Sequence, residues 1–404
     1  MNADRNLVKK EKREEDEFEE EEDIELEEDI KPSRTHQESA KKKMITLMGI
    51  ILIGTVILLL FLYIISLFTT RKYEYSDIEE ILQKAAISYF KDYPDSLPKE
   101  DGSIVEIDHT NLVAAGKMKD LVEYTGDGVA CSASVQVEKI STDYVYTPFL
   151  NCGDDYSTTE LYKKVLQDDL VSSGDGLYSN NGNYIYRGEH VNNYVKLDES
   201  LWRIVKVTSD NNIVLISDPG ISKIKTWDDR YNETTLYSSG INSYSVSRIK
   251  EYLDKLYSGK NDDEEVLFSN KDRSRMAYHK VCIGKRSKSS ESKDNSIECK
   301  EVLNNQKLSL LTLSDYMYAS IDPNCKNADT KSCRNYNYLV SSYEWWLATG
   351  DSDTTTKVYK IESSGSIKSE NASMYACVRP VIYLNDKVLF KGGKGTLEKP
   401  YTVK

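Results

Sequence analysis

The chain has 404 residues, with 53 lysines and arginines against 66 aspartates and glutamates, for a formal net charge of −13. That acidic balance argues against nucleic acid as a partner, and the length allows a sizeable buried core. Four histidines with no H-x-H, C-x-x-C or H-E-x-x-H spacing exclude the common zinc motifs.

Residues 1–43 hold 16 acidic and 10 basic side chains, the acidic ones concentrated in the run Glu14 to Ile30. Such a run repels itself and buries little apolar surface, so a disordered acidic tail is expected. It is either a solvating tail or a docking segment for a basic cytoplasmic partner. Met44 to Phe68 then carries no charge. As a helix it is about 37 Å long, enough to cross a ~30 Å hydrocarbon core. Lys31, Arg34, Lys41, Lys42 and Lys43 precede it and Arg71, Lys72 and Lys84 follow. This bias places the N-terminus in the cytoplasm. All seven cysteines follow the span, which fits an oxidising compartment outside. An uncleaved signal anchor, a single-pass topology and an extracellular C-terminal part are therefore expected. Gly49 and Gly54 are five residues apart, so the G-x-x-x-G dimer face is absent.

Residues 69–152 read as a membrane-proximal module. Ser76 and Glu79 have the spacing of a capping box, and Pro94 closes the helix. Ile78, Ile81, Leu82, Ala85, Ala86 and Tyr89 share one face. The cap favours a restart at Ser76, while the lack of Gly or Pro between Thr55 and Tyr93 leaves a continuous stalk open. SIVEID predicts a strand, and NLVAAGKMKDL a short helix with a glycine inside it. CSASVQVEK and YVYTPFLNC predict a hairpin joined by Ile140 to Asp143. Paired positions then sum to 283, as Cys131 and Cys152 do, so these cysteines face each other across the ladder and are expected to bond.

Residues 153–180 read as a connector, with a Thr-capped helix in TTELYKKVLQDDL and a loop in GDGLYSNNGN. Residues 181–404 read as a distal domain. NYIYRG, NNYVKL, SLWRIVKV and NIVLIS are predicted strands, the last two a hairpin through Thr208 to Asn211. Trp202 and Ile204 are expected on a core face, with Leu201 and Arg203 opposite. SYSVSRIKEYLDKLYSG predicts an amphipathic helix with Val246, Ile249, Leu253 and Leu256 buried. Gly259 to Cys299 reads as polar and loop-rich. LSLLTL is expected to be a buried strand, SDYMYAS a helix capped by Ser314, and WWLAT, KVYKI and RPVIYL further strands. The fold class is α+β, with a largely antiparallel sheet.

NNYVKL with SLWRIVKV, LLTLSDYMYAS, WWLAT and VRPVIYLNDKVLFKGGKGTLEKPYTV together resemble an uncharacterised family of bacterial membrane-anchored surface proteins, over roughly residues 180–404. Through WWLAT and VRPVIYL the last third resembles the C-type-lectin-like and formylglycine-generating-enzyme-like fold, which implies a ligand-binding outer domain. The layout of span, amphipathic helix and small cystine sheet is similar to pilin-like proteins, but the acidic tail replaces their short basic leader.

Chemistry is thinly marked. Cys282–Cys299 and Cys325–Cys333 are the natural local pairs, leaving Cys377 over. As a nucleophile Cys377 would need a base, and His279 is the candidate; a buried thiol is the plainer reading. His36, His109 and His190 read as surface or partly buried residues. Asp351 and Asp353 read as a turn or a cation loop. KGGKGT (Lys391 to Thr396) has neither P-loop spacing nor a following helix, so it reads as a turn. Lys271 to Lys288 is strongly basic, either a solvated loop or a contact for an anionic cell-wall polymer. Asn232 and Asn371 open glycosylation sequons. Tyrosine is abundant, 29 against 7 phenylalanines, which suits exposed binding sheets. The sequence thus predicts a non-enzymatic surface protein without cofactor or metal, anchored in the lipid bilayer. Its distal domain would bind a glycan or protein ligand. A pilin-like structural component, associating through the span and the helix over 76–93, and a thiol enzyme built on Cys377 are the alternatives.

Overall fold

The computed structural model describes residues 34–69, 73–140, 142–197, 199–218, 223–259 and 268–404. The acidic run from Glu14 to Ile30 lies outside them. The chain divides into two units, Met1–Thr70 and Arg71–Lys404. In the first, helix α1 (Arg34–Thr69) contains the stretch Lys41–Tyr63, which has a mean hydropathy of 2.9 and no burial in protein. It is long and apolar enough to cross a membrane. The hydroxyls of Thr46 and Thr55 donate to the carbonyls of Lys42 and Leu52 at 2.8 Å, so neither of these two hydroxyls stands unpaired.

The second unit holds two hydrophobic cores. In the smaller, α2 (Tyr75–Asp92) lies on a three-stranded antiparallel sheet and buries Ile78, Leu82, Ala85, Ala86 and Phe90. Its cap is not Ser76. Glu74 is the N-cap, and its N–H donates to Asp77 Oδ2 at 3.2 Å. Glu79 turns inward instead, 3% exposed. The sheet comprises β1 (Ile104–Asp108), β2 (Ser132–Ile140) and β3 (Asp143–Asn151), with α3 (His109–Ala114) and α4 (Val122–Thr125) between β1 and β2. The glycine expected inside α3 lies beyond its end: Gly116 has φ +65°, a conformation that stops a helix. Every β2–β3 pair, from Ser132↔Asn151 to Ile140↔Asp143, sums to 283. The turn is two residues shorter than expected, because Ile140 and Asp143 themselves pair, but the register is unchanged. Cys131 and Cys152 sit just past the ladder with Cα atoms 4.1 Å apart, at disulfide distance.

Residues 153–180 are not a bare connector. Glu160, not threonine, caps α5 (Leu161–Asp169), and Leu161 and Val165 enter the larger core. GDGLYSNNGN is no loop: β4 (Gly176–Asn180) pairs with β5 (Asn183–Arg187) around Asn181 (φ +49°) and Gly182 (φ +81°), the signature of a tight Asn-Gly hairpin.

The remaining elements are β6 (Tyr194–Leu197), β7 (Ser200–Val207), β8 (Ile213–Ser217), β9 (Lys223–Thr226), α6 (Arg248–Ser258), α7 (Asn270–Arg275), β10 (His279–Cys282), β11 (Val302–Gln306), α8 (Leu313–Ala319), β12 (Trp345–Gly350), β13 (Lys357–Ile361), β14 (Ile367–Asn371), β15 (Tyr375–Val378), β16 (Val381–Leu384), β17 (Phe390–Gly392) and β18 (Tyr401–Val403). One sheet runs β16-β8-β7-β6-β18-β17, with β5 on β7 and β4 on β5; a second runs β14-β13-β12-β15-β9; β10 and β11 form a ribbon. Pairing is antiparallel except at β12–β15 and β6–β18. The molecule is thus mixed α+β with antiparallel-rich sheets.

Four local expectations change. Both faces of β7 are covered: Arg203 is buried beside Trp202 and Ile204, its guanidinium held between Tyr194 and Tyr338. Val246 is 55% exposed because it lies in a 3-10 turn before α6, whose buried stripe is Ile249, Leu253 and Leu256. LSLLTL is buried but joins no ladder, since only Ser309 bridges to Val381. Helix α8 is capped by Thr312, whose hydroxyl accepts from Asp315 N at 3.1 Å, not by Ser314.

The two cores meet through main-chain bonds and a polar collar. Leu161 N donates to Val388 O (2.8 Å) and Phe390 N to Thr159 O (2.9 Å), with Glu160 bridging Leu389. Beside them the buried Glu79 carboxylate accepts from Tyr156 Oη at 3.0 Å, from Thr158 Oγ1 and from Lys404 Nζ. A second ion pair, Lys387 to Glu138 at 3.0 Å, lies on the surface.

Candidate functional site

A polar cleft of about 740 Å³ opens on the second unit, beside the loop closed by Cys325 and Cys333. Three segments build it. The first leaves β5 at Gly188 (φ +112°), where a Cβ would sit 2.2 Å from Asp175 Oδ1. Only glycine fits there. Its N–H donates to Ala319 O (2.9 Å) and its carbonyl accepts from Tyr338 N (2.7 Å), which delivers Glu189 to the rim.

The second segment flanks the cystine loop. Ser320, just past α8, donates its hydroxyl to Asn335 O at 2.7 Å. Asp322 accepts from Asn335 Nδ2 (2.7 Å) and Asn324 N (2.8 Å). The Asn335 amide first, then the Asn324 N–H, hold the Asp322 carboxyl below its usual range. Tyr336 follows with φ +49° and a ring left outside, the residue 56% exposed. Asn337 pins the backbone behind it, donating to Tyr316 O (3.0 Å) and Cys333 O (2.8 Å). The third segment is the β13–β14 tip. Gly365 (φ +78°) packs where a Cβ would lie 2.8 Å from Arg334 Cβ, and its carbonyl accepts from Tyr316 Oη at 2.6 Å. Ser364 is thereby brought to the lining of the cleft.

Two cations behind the cleft are already used. Lys293 Nζ and Arg187 Nη2 both donate to Ser320 O at 3.1 Å. Burial, then Arg187, pushes Lys293 down to about 8, with Asp322 opposing. The rim keeps one exposed carboxylate, Glu189, and one exposed guanidinium, Arg334. Amides, a phenol and opposite charges at low net charge suit a hydroxyl-rich or mixed-charge ligand.

Comparison with protein families, with curated proteins and with solved structures returned no match. The site therefore rests on its own geometry.

The residues singled out from sequence lie elsewhere, apart from the cystine beside the cleft. Cys282 with Cys299, and Cys325 with Cys333, stand at disulfide distance, Cα atoms 4.3 and 4.5 Å apart. Cys377 is free and half-buried on β15. Burial pushes its thiol up, Arg379 opposes and Glu344 adds to the rise, the reverse of an activated nucleophile. His279 spends Nε2 on Ser309 Oγ (3.0 Å) and its ring face on Tyr383. Burial pushes it down to about 3, so it stays neutral at physiological pH. His109 Nδ1 contacts the Ala133 backbone, His190 is exposed, and the His36 side chain lies outside the described residues.

Among the described residues no three His, Cys, Asp or Glu side chains gather as a metal cluster. Asp351 is buried, accepting from Asp353 N (2.9 Å) and Ser369 Oγ, so GDSDTTT is a closed turn. KGGKGT is a turn whose Gly395 carbonyl accepts from Tyr194 N at 2.8 Å. The basic stretch is part surface and part core: Lys271, Lys280, Lys285 and Lys288 are exposed, while Arg275 and Arg286 are buried. Arg275 pairs with Asp272, Arg286 with Glu298, and Lys288 with Asp329. Asn232 is buried with its amide on Gly240 O (2.8 Å), which closes that sequon; Asn371 is half-exposed on β14.

Glu189, Asn324, Arg334, Asn335, Tyr336 and Ser364 fit no motif. The only sequence signal near them is the eight-residue cysteine spacing with a high density of Asn and Asp around it.

Proposed function

We propose that this is a single-pass membrane-anchored surface protein whose outer part, with a lectin-like distal domain, binds a glycan or protein ligand through the polar cleft. The cleft carries the reading, because it gathers exposed hydrogen-bonding groups of every kind on backbone that is over-determined by buried bonds. The apolar Lys41–Tyr63 helix supports the anchor, and cysteine pairs confined to the chain after it support an oxidising outer compartment. The raised thiol of Cys377 speaks against the enzyme alternative.

Arg334→Glu reverses the one exposed cation of the rim without touching a buried contact. With the full chain in nanodiscs and soluble fragments of the host envelope as probe, R334E is expected to weaken binding at least tenfold with an unchanged melting temperature. Equal binding by wild type and R334E would remove the cleft from the function.

A further inference from the structure

Building on that reading, we infer that the cleft is a carbohydrate subsite in which Tyr336 is the platform for the apolar face of a neutral sugar ring. Tyrosine at φ +49° is a backbone outlier for a bulky residue. Such strain persists only where the surroundings over-determine it, and it concentrates at ligand sites. Here the surroundings do so. The Tyr336 carbonyl accepts from Ile321 N at 3.4 Å, Asn335 is tied to Asp322, and Asn337 is tied to Cys333 and Tyr316. Glycine at this position would avoid the strain, so the ring is kept at a cost that the fold does not require.

Tyr336 is more than half exposed and lines a concave site. A sugar ring has one face of C–H groups and a circumference of hydroxyls. An aromatic plane takes the first. Side-chain amides, a serine and a carboxylate take the second, each accepting or donating as the hydroxyl requires. Asn324, Asn335 and Glu189 offer that set, and Ser364, whose hydroxyl donates to Ser366 Oγ at 2.9 Å, adds an acceptor. Charge decides between neutral and acidic sugars. Lys293 and Arg187 are spent on the Ser320 carbonyl, and the Asp322 carboxylate is spent on Asn335 and Asn324. What faces the ligand is one carboxylate and one guanidinium, a balance that favours no net-charged polymer.

The test uses the full chain in nanodiscs with cellobiose and N,N′-diacetylchitobiose as neutral probes and a galacturonate oligomer as the acidic one. At least one neutral disaccharide should bind saturably. Tyr336→Gly should lose binding at least tenfold while melting no lower than wild type, and Tyr336→Phe should keep most of it. Binding of a neutral sugar unaltered in Y336G would overturn the proposal, as would saturable binding of the galacturonate oligomer alone. If no sugar binds but R334E still weakens capture of envelope fragments, the carbohydrate assignment falls and the cleft reading stands. If R334E also has no effect, both fall.

Discussion

Glu298→Ala is expected to destabilise the protein by about 3–5 kcal/mol, the usual result of stranding one member of a buried ion pair. Glu298 is wholly buried and the Arg286 side chain is 1% exposed. Arg286 Nη1 lies 3.1 and 3.2 Å from the two carboxylate oxygens, and Ser314 N and Oγ complete the carboxylate's partners at 3.2 and 2.9 Å. Removing the carboxylate leaves a guanidinium charge with serine carbonyls and the Ser314 hydroxyl around it. Water cannot reach it to compensate. The paired replacement R286M/E298L should recover most of the loss, since apolar groups of similar volume demand no solvation. Urea titration followed by tryptophan fluorescence measures both. A cost below about 1 kcal/mol for E298A, the range of an exposed pair, would mean the pair is solvated.

The second large effect is expected at the collar between the two cores. Glu79→Ala should cost about 2 kcal/mol, for a half-buried ammonium and two hydroxyls left short of an acceptor. Lys404 is the partner that suffers most: burial already lowers its pKa, and the Glu79 hydrogen bond and charge are what oppose that. The loss falls on the contact between α2 with its sheet and the larger core, so its signature is cooperativity. Calorimetry of wild type should give one transition for the second unit, and E79A should broaden or split it. A single, sharp transition in E79A would show that the remaining main-chain bonds and the Lys387–Glu138 pair couple the cores without the collar.

How far the sequence could be read depended on whether a signal was local. The β2–β3 register was legible because two strands and a pair of cysteines obey one sum, and the sum survives an error in turn length. Caps were misplaced at Ser76, Ser314 and the threonines before α5 because several acceptors stand side by side there. Main-chain geometry picks Glu74, Thr312 and Glu160. β5 was read as a strand, but its partner β4 was taken as loop although Asn181-Gly182 marks the turn, since GLYSN is too short and polar to show alternation. Val246 fits the helical stripe in sequence, but the helix starts two residues later. Arg203 and Arg286 looked like surface charge, and only the fold supplies their carbonyl, aromatic and carboxylate partners. The cleft could not be seen at all. Glu189, Tyr336 and Ser364 belong to three distant segments, brought together by two glycines that accept conformations no other residue takes easily.

The most direct measurement is hydroxyl-radical footprinting of the full chain in nanodiscs, with and without soluble fragments of the host envelope. Tyr336 and the residues beside it should be protected on binding, with exposed Tyr237 and Tyr375 unchanged. Protection at Tyr237 or Tyr375 with Tyr336 still fully reactive would contradict the account and move the binding surface away from the cleft.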